Sequence, residues 1–469
     1  MNVTTPHPAD VEGTATGGVA PPEADAVHQL TTDDFASFTA QFAARPELRR
    51  MQNAVTVAGI DQVALNHTVA VGISKSMSHR LDDWKATNQQ KTGRCWLFAA
   101  LNLLRSDARK QLGLKDFEFS QNHALYWDKI ERANHFLTSI IQTADRPLDD
   151  RLVAFLLSSV LGDGGQWNMA TSLFRKHGVV PKELMPETQS SSDTARMNRR
   201  LKVVTRQGAR RLRGLLATGA DADQVQKMRR EILADVHTIL TIHLGTPPER
   251  FEWQWTDDDK EFHRAGEMTP VEFLDRFVTL ELGDYVCLVD DPRPENPRGS
   301  TMTVEHLGSV VGGDPVLYLN VGIDVAKRLA MQTLMDGEPV WFGCDTGQQA
   351  NSELGVWDAA LYDFTGVYGI AEEMDKQARV EYHDSLMTHA MLFTGVDVVD
   401  GAPRRWRVEN SWGDEKGDSG FYTMNDSWFD EYVFEVVVNK SRLDPELRMA
   451  LRTSPRVLPA WDPMGALAR

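Results

Sequence analysis

Four residues of this chain have the types and the order that catalysis by a nucleophilic thiolate requires. Cys95 follows a Gly-Arg turn and opens a long apolar run, and Gln89 lies six residues before it. Far downstream are His389, in Thr-His-Ala-Met, and Asn410, in Glu-Asn-Ser-Trp-Gly. A thiol, an imidazole and a side-chain amide can serve as nucleophile, general base and the group that orients the base. The pattern therefore predicts acyl transfer to the cysteine sulfur.

Each of the four residues has an expected role. A free thiol has a pKa of about 8.5, which a helix N-terminus and a neighbouring imidazolium can lower. We expect Cys95 to lie at a helix start, and His389 to supply the imidazolium with its other ring N–H held by Asn410. The Gln89 side-chain amide and the Cys95 backbone N–H are expected to bind the oxyanion. Each residue alone has a structural explanation, such as a buried cysteine or an ordinary turn, but the four in this order favour catalysis.

Apolar spacing predicts the helices that would carry the first half of this site. The segment from Cys95 to Arg109 is apolar on most sides near its start, which is typical of a buried helix, and Gly113 fits its end. A second helix is predicted from Gln121 to Leu137. Further on, Gly164 and Gly165 form a tight loop that we expect to line a cleft and pair with substrate backbone. A plain helix-to-helix turn is the alternative.

The last third of the chain is predicted to be rich in β-strands. The candidate strands are residues 340–344, 391–399, 406–410 and 433–438. In the third, Trp406 and Val408 alternate with charged residues, as the two faces of a strand do. These strands would carry His389 and Asn410.

A basic segment lies between the two halves of the site. It contains no acidic residue from position 196 to 220 and eight basic ones: Arg196, Arg199, Arg200, Lys202, Arg206, Arg210, Arg211 and Arg213. A helix is predicted here, and a helical pattern continues from Asp223 to Ile242. The rest of the region, to about Met335, mixes helix and strand.

Composition limits the compartment and the partners. The 469 residues carry a formal net charge of −17, which opposes binding to nucleic acid and anionic membranes. No apolar stretch approaches the roughly 18 residues of a membrane span, and residues 1–26 lack the pattern of a secretory signal. Three widely spaced cysteines, Cys95, Cys287 and Cys344, indicate neither a disulfide framework nor a zinc site. We expect a cytoplasmic protein without cofactor or metal, in which Cys287 and Cys344 are structural.

The sequence around Cys95 resembles papain-like cysteine peptidases, in particular the branch that contains bleomycin hydrolase and aminopeptidase C. Asn-Gln followed by Gly-Arg-Cys-Trp-Leu-Phe-Ala carries this resemblance. Further matching stretches are residues 127–132, 163–167, 289–294, 340–345, 385–391, 406–413 and 459–468. The likeness extends from about Leu30 to the end of the chain.

The resemblance implies an α+β, papain-like fold of two lobes, one helical and one β-rich, with a large and mainly helical insertion. Cys95 and His389 are 294 residues apart, against roughly 130–150 in ordinary papain-like enzymes, and the insertion accounts for the excess. The predicted divisions are a disordered tail (1–29), a helical lobe with the cysteine (30–194), an inserted oligomerisation region (195–335), a β-rich lobe with the histidine and asparagine (336–455) and a C-terminal arm (456–469).

The resemblance also implies an activity and an assembly. Relatives are cysteine aminopeptidases that remove N-terminal amino acids from peptides, and bleomycin-like amides are a further substrate class. Members of this family form homohexamers with the active sites facing an internal chamber. The basic segment 196–213 would then face an acidic neighbouring subunit, which we favour, or line the chamber. Trp412 is expected to shield His389 and Asn410 from water.

The C-terminal arm carries a separate expectation. In this family the C-terminus lies in the active-site cleft, and its carboxylate holds the α-ammonium group of the substrate. Ala468 and Arg469 are therefore predicted substrate-binding residues. A tethered anion at a fixed distance from the sulfur selects free N-termini, so an endopeptidase groove becomes an aminopeptidase. Self-removal of Arg469 would leave the carboxylate on Ala468, and the sequence leaves both states open.

One alternative belongs to another functional class. A non-catalytic or nucleic-acid-binding assembly could keep the same fold, since some eukaryotic relatives bind nucleic acid. The intact set of Cys95, His389, Asn410 and Gln89 argues against an inactive enzyme, and the acidic charge argues against nucleic acid.

Overall fold

The computed structural model of the protein describes residues 29–81 and 84–468. The predicted tail over residues 1–29 lies outside the described residues except for its last position, and Arg469 also lies outside them. The described chain forms two compact units. The smaller contains the residues up to Ala64 together with 364–370, and the larger contains residues 65–363 and 371–468.

The described ranges contain both helices and strands. The α-helices are α1 (Thr32–Ala43), α2 (Pro46–Ala58), α3 (Ile60–Ala64), α4 (His67–Gly72), α5 (Cys95–Leu112), α6 (Gln121–Gln142), α7 (Arg151–Ser158), α8 (Trp167–His177), α9 (Gln189–Ser192), α10 (Ala195–Ala217), α11 (Ala222–Leu244), α12 (Pro270–Phe277), α13 (Ile323–Met335), α14 (Phe364–Tyr368), α15 (Lys376–Glu381), α16 (Asp426–Tyr432) and α17 (Pro445–Ala450). The strands are β1 (His79–Arg80), β2 (Phe251–Thr256), β3 (Phe262–Met268), β4 (Tyr285–Val289), β5 (Thr301–Val304), β6 (Tyr318–Asn320), β7 (Val340–Cys344), β8 (Ala350–Asn351), β9 (Val356–Trp357), β10 (His389–Val399), β11 (Ala402–Glu409), β12 (Phe421–Asn425), β13 (Val433–Asn439) and β14 (Arg456–Leu458). No helix in the described ranges is long and apolar enough to cross a membrane.

The smaller unit is helical and consists of α1, α2, α3 and α14. Thr31 caps α1 through a capping box with Asp34, and Pro46 occupies the first turn of α2. The two helices are separate because a proline disfavours helical backbone at the residue before it, here Arg45.

A mixed sheet of twelve strands forms the framework of the larger unit. Its order is β14-β5-β6-β4-β13-β7-β10-β11-β12-β9-β8, and β1 pairs with β10. The four predicted strands of the last third correspond to β7, β10, β11 and β13. β10 begins at His389, and its antiparallel neighbour β11 ends at Glu409. The two strands therefore bring His389 and Asn410 together at the same end of the strand pair.

Side chains of the sheet alternate between two cores, as the two faces of a pleated sheet require. Trp341 and Leu392 belong to the core that contains helix α5, whereas Phe342 and Phe393 belong to the core that contains α13. Helix α5 is buried on most sides, as its apolar run predicts. It ends at Gly113, whose left-handed backbone (φ 65°) closes the last turn.

The basic segment forms helix α10, and the helical pattern after it forms α11, as predicted. The region 195–335 also contributes β4, β5 and β6 to the main sheet, so its second half is part of the framework that carries the site. Three of the eight basic side chains form hydrogen bonds or ion pairs within the chain. Arg206 donates to the carbonyl of Leu157, Arg211 pairs with Glu231, and Arg213 donates to backbone carbonyls.

Candidate active site

The predicted nucleophile occupies the first residue of helix α5. Cys95 is 3% exposed, and its sulfur lies beside the backbone N–H groups of Ala390, Trp96 and Cys95 itself. Two of these N–H groups belong to the first helical turn, where they have no partner within the helix. Ala390 directly follows His389, so the structure brings the predicted nucleophile and the predicted base together.

An ion pair behind the sulfur holds the turn that leads into α5. Arg94 is fully buried, and its Nη2 donates to Glu187 Oε2 at 2.8 Å and to the Ser191 carbonyl at 2.6 Å. Its Nε lies 3.2 Å from the hydroxyl of Thr92. The arginine of the Gly-Arg turn therefore fixes the backbone from which Cys95 projects, and sequence reasoning assigned it no such role.

The imidazole of His389 is held by Asn410. Its Nε2 lies 2.9 Å from Asn410 Oδ1, which leaves Nδ1 as the nitrogen that can exchange a proton with the thiol. The ring of Trp412 lies with its centroid 5.0 Å from that of His389, so it covers the hydrogen-bonded pair on one side.

The loop that carries Gln89 is tied to the loop that follows Asn410. The Gln89 backbone N–H donates to the Ser411 carbonyl at 2.8 Å, and the Ser411 hydroxyl donates to Gln89 Oε1 at 2.6 Å. The Gln89 side-chain nitrogen donates one hydrogen to the Thr92 carbonyl, and its second hydrogen can serve an oxyanion. Gly413 allows this pairing because a Cβ at its φ of 78° would lie 2.6 Å from Asn88 Nδ2.

Burial disfavours the charged form of the thiol and of the imidazole when each group is considered alone. Burial raises the pKa of the Cys95 thiol to about 11, and the three nearby N–H groups oppose that rise. Burial also lowers the pKa of the His389 imidazole to about 4, against the hydrogen bond to Asn410. The N–H groups of the helix start lower the pKa of Cys95, but burial outweighs them. Transfer of the proton creates two charges that attract strongly at low dielectric, so the two groups titrate as a pair.

The glycine loop packs directly behind the nucleophile. A Cβ on Gly165 would lie 2.4 Å from the ring of Trp96, so only glycine fits there. The Gly164 carbonyl accepts a hydrogen bond from Arg132 Nη2 at 2.7 Å. These contacts give both glycines a structural reason, and their predicted pairing with substrate stays a prediction.

A buried carboxylate fixes the start of that loop. Asp163 accepts hydrogen bonds from Lys129 Nζ at 2.6 Å, Asn198 Nδ2 at 2.7 Å and the hydroxyl of Thr194 at 2.5 Å. Burial raises the pKa of Asp163, but these partners outweigh it and the net pKa is lowered. Lys129 is fully buried and also donates to the Gly162 carbonyl at 2.7 Å.

The C-terminal arm is held by polar contacts, the last of which is to Arg132. Asp462 forms an ion pair with Arg293 at 2.9 Å, and the Met464 carbonyl accepts from Tyr318 at 3.0 Å. The Ala468 carbonyl lies 3.4 Å from Arg132 Nη1. Ala468 lies one arginine away from the Gly164 carbonyl, and its role in substrate binding stays a prediction, while Arg469 lies outside the described residues.

Sequence reasoning missed Arg132 and Lys129, although both lie in a stretch that carries the family resemblance. Asp128 and Arg132 are four residues apart on helix α6, a spacing that places opposite charges side by side. From that spacing the ion pair of Asp128 and Arg132 could have been predicted.

One group of potential metal ligands occurs among the described residues, at the turn between β2 and β3. Ligand atoms of Asp257, Glu261 and His263 lie within 4.8 Å of one another. Asp257 accepts from the Glu261 backbone N–H and lies 2.8 Å from His263 Nε2, so these contacts serve the turn itself.

Comparisons with known proteins agree with this geometry. The Peptidase C1-like family model matches residues 29–465. Bleomycin hydrolase of Gallus gallus is 41% identical over 452 residues, and aminopeptidase C of Listeria monocytogenes is 40% identical over 440 residues. Each alignment covers 94% of this chain and 99% of the relative. The crystal structure of PepW from Lactobacillus rhamnosis is similar with a TM-score of 0.92 and 42% identity, over 94% of this chain and 99% of that one. The predicted papain-like fold is confirmed, and this chain belongs to the Peptidase C1-like family.

Proposed function

We propose that this protein is a cysteine aminopeptidase that removes N-terminal amino acids from peptides by acyl transfer through Cys95. The relatives named aminopeptidase C support the activity. The observation that carries the choice of an exopeptidase is the end of the chain itself, since the Ala468 carbonyl and the Gly164 carbonyl bind the same guanidinium of Arg132.

The reaction uses four groups of the site. Cys95 gives its proton to His389 Nδ1 and attacks the carbonyl carbon of the first peptide bond. The carbonyl oxygen becomes an anion, which the Gln89 amide and the Cys95 backbone N–H stabilise. The imidazolium protonates the leaving amine, and the thioester is then hydrolysed by a water molecule that His389 deprotonates. Asn410 holds the ring of His389 throughout.

The C-terminal arm accounts for selection of free N-termini. A carboxylate at the end of the arm attracts the α-ammonium group of a substrate, and the arm itself fills the space that residues before the scissile bond would need. The substrate then has room for only a short segment before its scissile bond, on the side of the sulfur that the arm fills. Ala468 is the anchor if Arg469 is removed, and Arg469 is the anchor if it is retained.

Two substrates that differ in one charge test this function. The enzyme should hydrolyse an aminoacyl-arylamide and should reject the same compound acetylated on its α-amine. Deletion of Met464 to Arg469 should relax that preference and allow cleavage inside an N-terminally blocked peptide. A truncated enzyme that still requires a free α-amine would contradict the role of the arm. Intact mass spectrometry of the full-length protein reports whether Arg469 is present.

The relatives named bleomycin hydrolase support a second substrate class. A non-peptide amide next to a free amine needs the same nucleophile, base and oxyanion donors. Incubation with bleomycin, followed by mass spectrometry for loss of the amide nitrogen, tests this activity. No change in mass with an enzyme that hydrolyses arylamides would exclude it.

We propose further that the protein assembles as a homohexamer through the region 195–335. Three of the eight basic residues on α10 form hydrogen bonds or ion pairs within the chain, which leaves five that could contact another subunit. The chain as a whole is acidic, with a net charge of −17. A basic surface on one subunit therefore has an acidic counterpart on another. Sedimentation equilibrium should give a mass near six chains, and a monomeric mass at all concentrations would exclude the assembly.

The cytoplasm is the proposed compartment, and nucleic acid is not a proposed partner. Cys95, Cys287 and Cys344 are all free thiols, which persist in a reducing compartment. A gel shift at low and physiological salt checks the second point. Binding to nucleic acid that survives physiological salt would contradict it.

A further inference from the structure

One arginine connects the end of the chain to the wall of the cleft. Arg132 is 7% exposed and binds Asp128 through Nη2 at 2.8 Å and Nε at 3.3 Å. The same Nη2 donates to the Gly164 carbonyl at 2.7 Å, and Nη1 lies 3.4 Å from the Ala468 carbonyl. Its guanidinium also lies over the ring of Trp96, the residue after the nucleophile.

These contacts leave the guanidinium little freedom. The carboxylate of Asp128 binds it on two nitrogens, a planar arrangement that sets the direction of the remaining N–H bonds. One of those bonds goes to the glycine loop, and another points to the last described residue of the arm. The guanidinium of Arg132, held rigidly by Asp128, therefore sets the position of Ala468 relative to Gly164.

The charges around Arg132 cancel before the arm is considered. Arg132 and Lys129 are positive, Asp128 and Asp163 are negative, and each cation binds one of the carboxylates. A carboxylate at the end of the arm would add one negative charge to a neutral group. It would accept a hydrogen bond from Arg132 and still attract a cation from the substrate side.

Packing leaves a space beside the end of the arm. A cavity of about 70 Å³ borders Ala468 and Gly465 and is also lined by Arg132, His135 and His306. The Ala468 carbonyl could move into this space if nothing bound it. The hydrogen bond from Arg132 opposes that movement.

We propose that Arg132 is a positioning residue that sets where the end of the chain stands in the cleft, and thereby how strongly the enzyme selects substrates with a free α-ammonium group. The inference rests on the proposed aminopeptidase function. Arg132 acts on the Ala468 oxygen in either state of the terminus, as a peptide carbonyl when Arg469 is retained and as a carboxylate oxygen when it is removed.

The test compares Arg132→Gln, Arg132→Lys and the control Arg175→Gln, which removes an exposed arginine that pairs with Asp314. Each is assayed on an aminoacyl-arylamide and on its N-acetylated form. Arg132→Gln should raise KM for the free amine by about 10- to 100-fold, the effect of losing a hydrogen bond between charged groups. Its kcat should change little, because the lost interaction is the same in the ground state and the transition state. Arg132→Lys should give a smaller loss, and Arg175→Gln none.

A second background separates this inference from the proposed function. Deletion of Ala468 and Arg469 removes the group that Arg132 positions, so Arg132→Gln should have no further effect on substrate preference there. If the deletion abolishes the preference for a free amine but Arg132→Gln leaves it intact in the full chain, the inference is wrong and the proposed function stands. If neither change alters the preference, the role of the arm is wrong as well.

A purely structural role for Arg132 would give a different result. Arg132→Gln would then lower kcat on both substrates equally, in the full chain and in the shortened one, through the displaced Gly164 carbonyl. That outcome would overturn the inference. Should Arg132→Gln fail to fold, Arg132→Lys, which keeps the charge and loses the planar group, decides between the same outcomes.

Discussion

The reacting end and the anchoring end of this site hold their polar groups in opposite ways. At the reacting end, Cys95 and His389 are buried, and uncharged groups set the geometry: His389 Nε2 donates to Asn410 Oδ1, and the Ser411 hydroxyl donates to Gln89 Oε1. At the anchoring end, Asp128 and Arg132 form one permanent ion pair, and Lys129 and Asp163 form another.

The difference follows from when charge is needed. At the reacting end a proton must pass between the thiol and the imidazole, and a permanent neighbouring charge would favour one protonation state over the other. The anchoring end must present the same field to every substrate, so its charges are paired in advance and cost no reorganisation. A buried charge without a partner would be costly at either end.

Removal of the nucleophile gives the largest expected effect. Cys95→Ala should lower kcat for an aminoacyl-arylamide by about 10⁶-fold, the order found when a nucleophile is lost from a nucleophile–base pair. The melting temperature should change little, since alanine fits the helix start. Cys287→Ala is the matched control for loss of a buried thiol, and it should keep its kcat. Activity of Cys95→Ala above about 1% of wild type would show that another group performs the attack.

Loss of a permanent charge at the anchoring end should mainly affect stability. Asp163→Asn leaves the buried Lys129 without its carboxylate, and breaking a buried pair costs about 3–5 kcal/mol of unfolding free energy. Denaturant unfolding measures this loss. The exposed pair of Arg211 and Glu231 supplies a control, since Glu231→Gln should cost less than about 1 kcal/mol. Equal losses for both variants would remove the distinction between the two ends.

A permanent charge placed at the reacting end should move its pH dependence. Asn410→Asp keeps the shape, and the Asn410 Nδ2 that it replaces has no acceptor among the described residues. A carboxylate 2.9 Å from Nε2 favours the charged imidazole, so it raises the pKa of His389 from about 4. Because activity falls as pH drops through this pKa, the acid limb of kcat/KM should move to higher pH by about one unit or more.

The acid limb of Asn410→Asp is best measured against Asn439→Asp, which adds the same charge in β13 away from the site. The control should leave the limb unchanged. An unchanged limb in both variants would mean that Asn410 does not govern the protonation of His389.

The smallest expected effect concerns the buried carboxyl of Glu435, which belongs neither to the reacting end nor to the anchoring end of the site. The Glu435 carboxyl is buried with the Cys287 thiol as its hydrogen-bonding neighbour, and burial raises its pKa to about 8. The unfolded chain ionises this group near its ordinary pKa of about 4.3, so stability should fall as pH rises from there to about 8.

Glu435→Gln should remove that loss, and the difference is measured by denaturant unfolding at pH 5 and pH 8.5. The exposed Glu446→Gln should leave the pH dependence of wild type unchanged. If wild type and Glu435→Gln lose stability in parallel, the ionisation of Glu435 does not cause the loss.

Sequence patterns predicted the framework well where the pattern is local. The apolar run after Cys95 predicted α5, and β7 and β13 lie close to their predicted strands. The region 195–335 was predicted as mainly helical, but β4, β5 and β6 join the main sheet, where long-range pairing rather than local propensity decides the structure.

The sequence by itself determined which groups can react. Cysteine, histidine, asparagine and glutamine in this order specify a nucleophile, a base, its orienting group and an oxyanion donor, since these roles depend on residue type. The tertiary structure decided how those groups are held and charged. Burial, which no residue type reveals, raises the pKa of the thiol and lowers the pKa of the imidazole. The contact of Arg132 with Ala468 joins residues 336 positions apart, and only the packing of the arm against α6 could place them together.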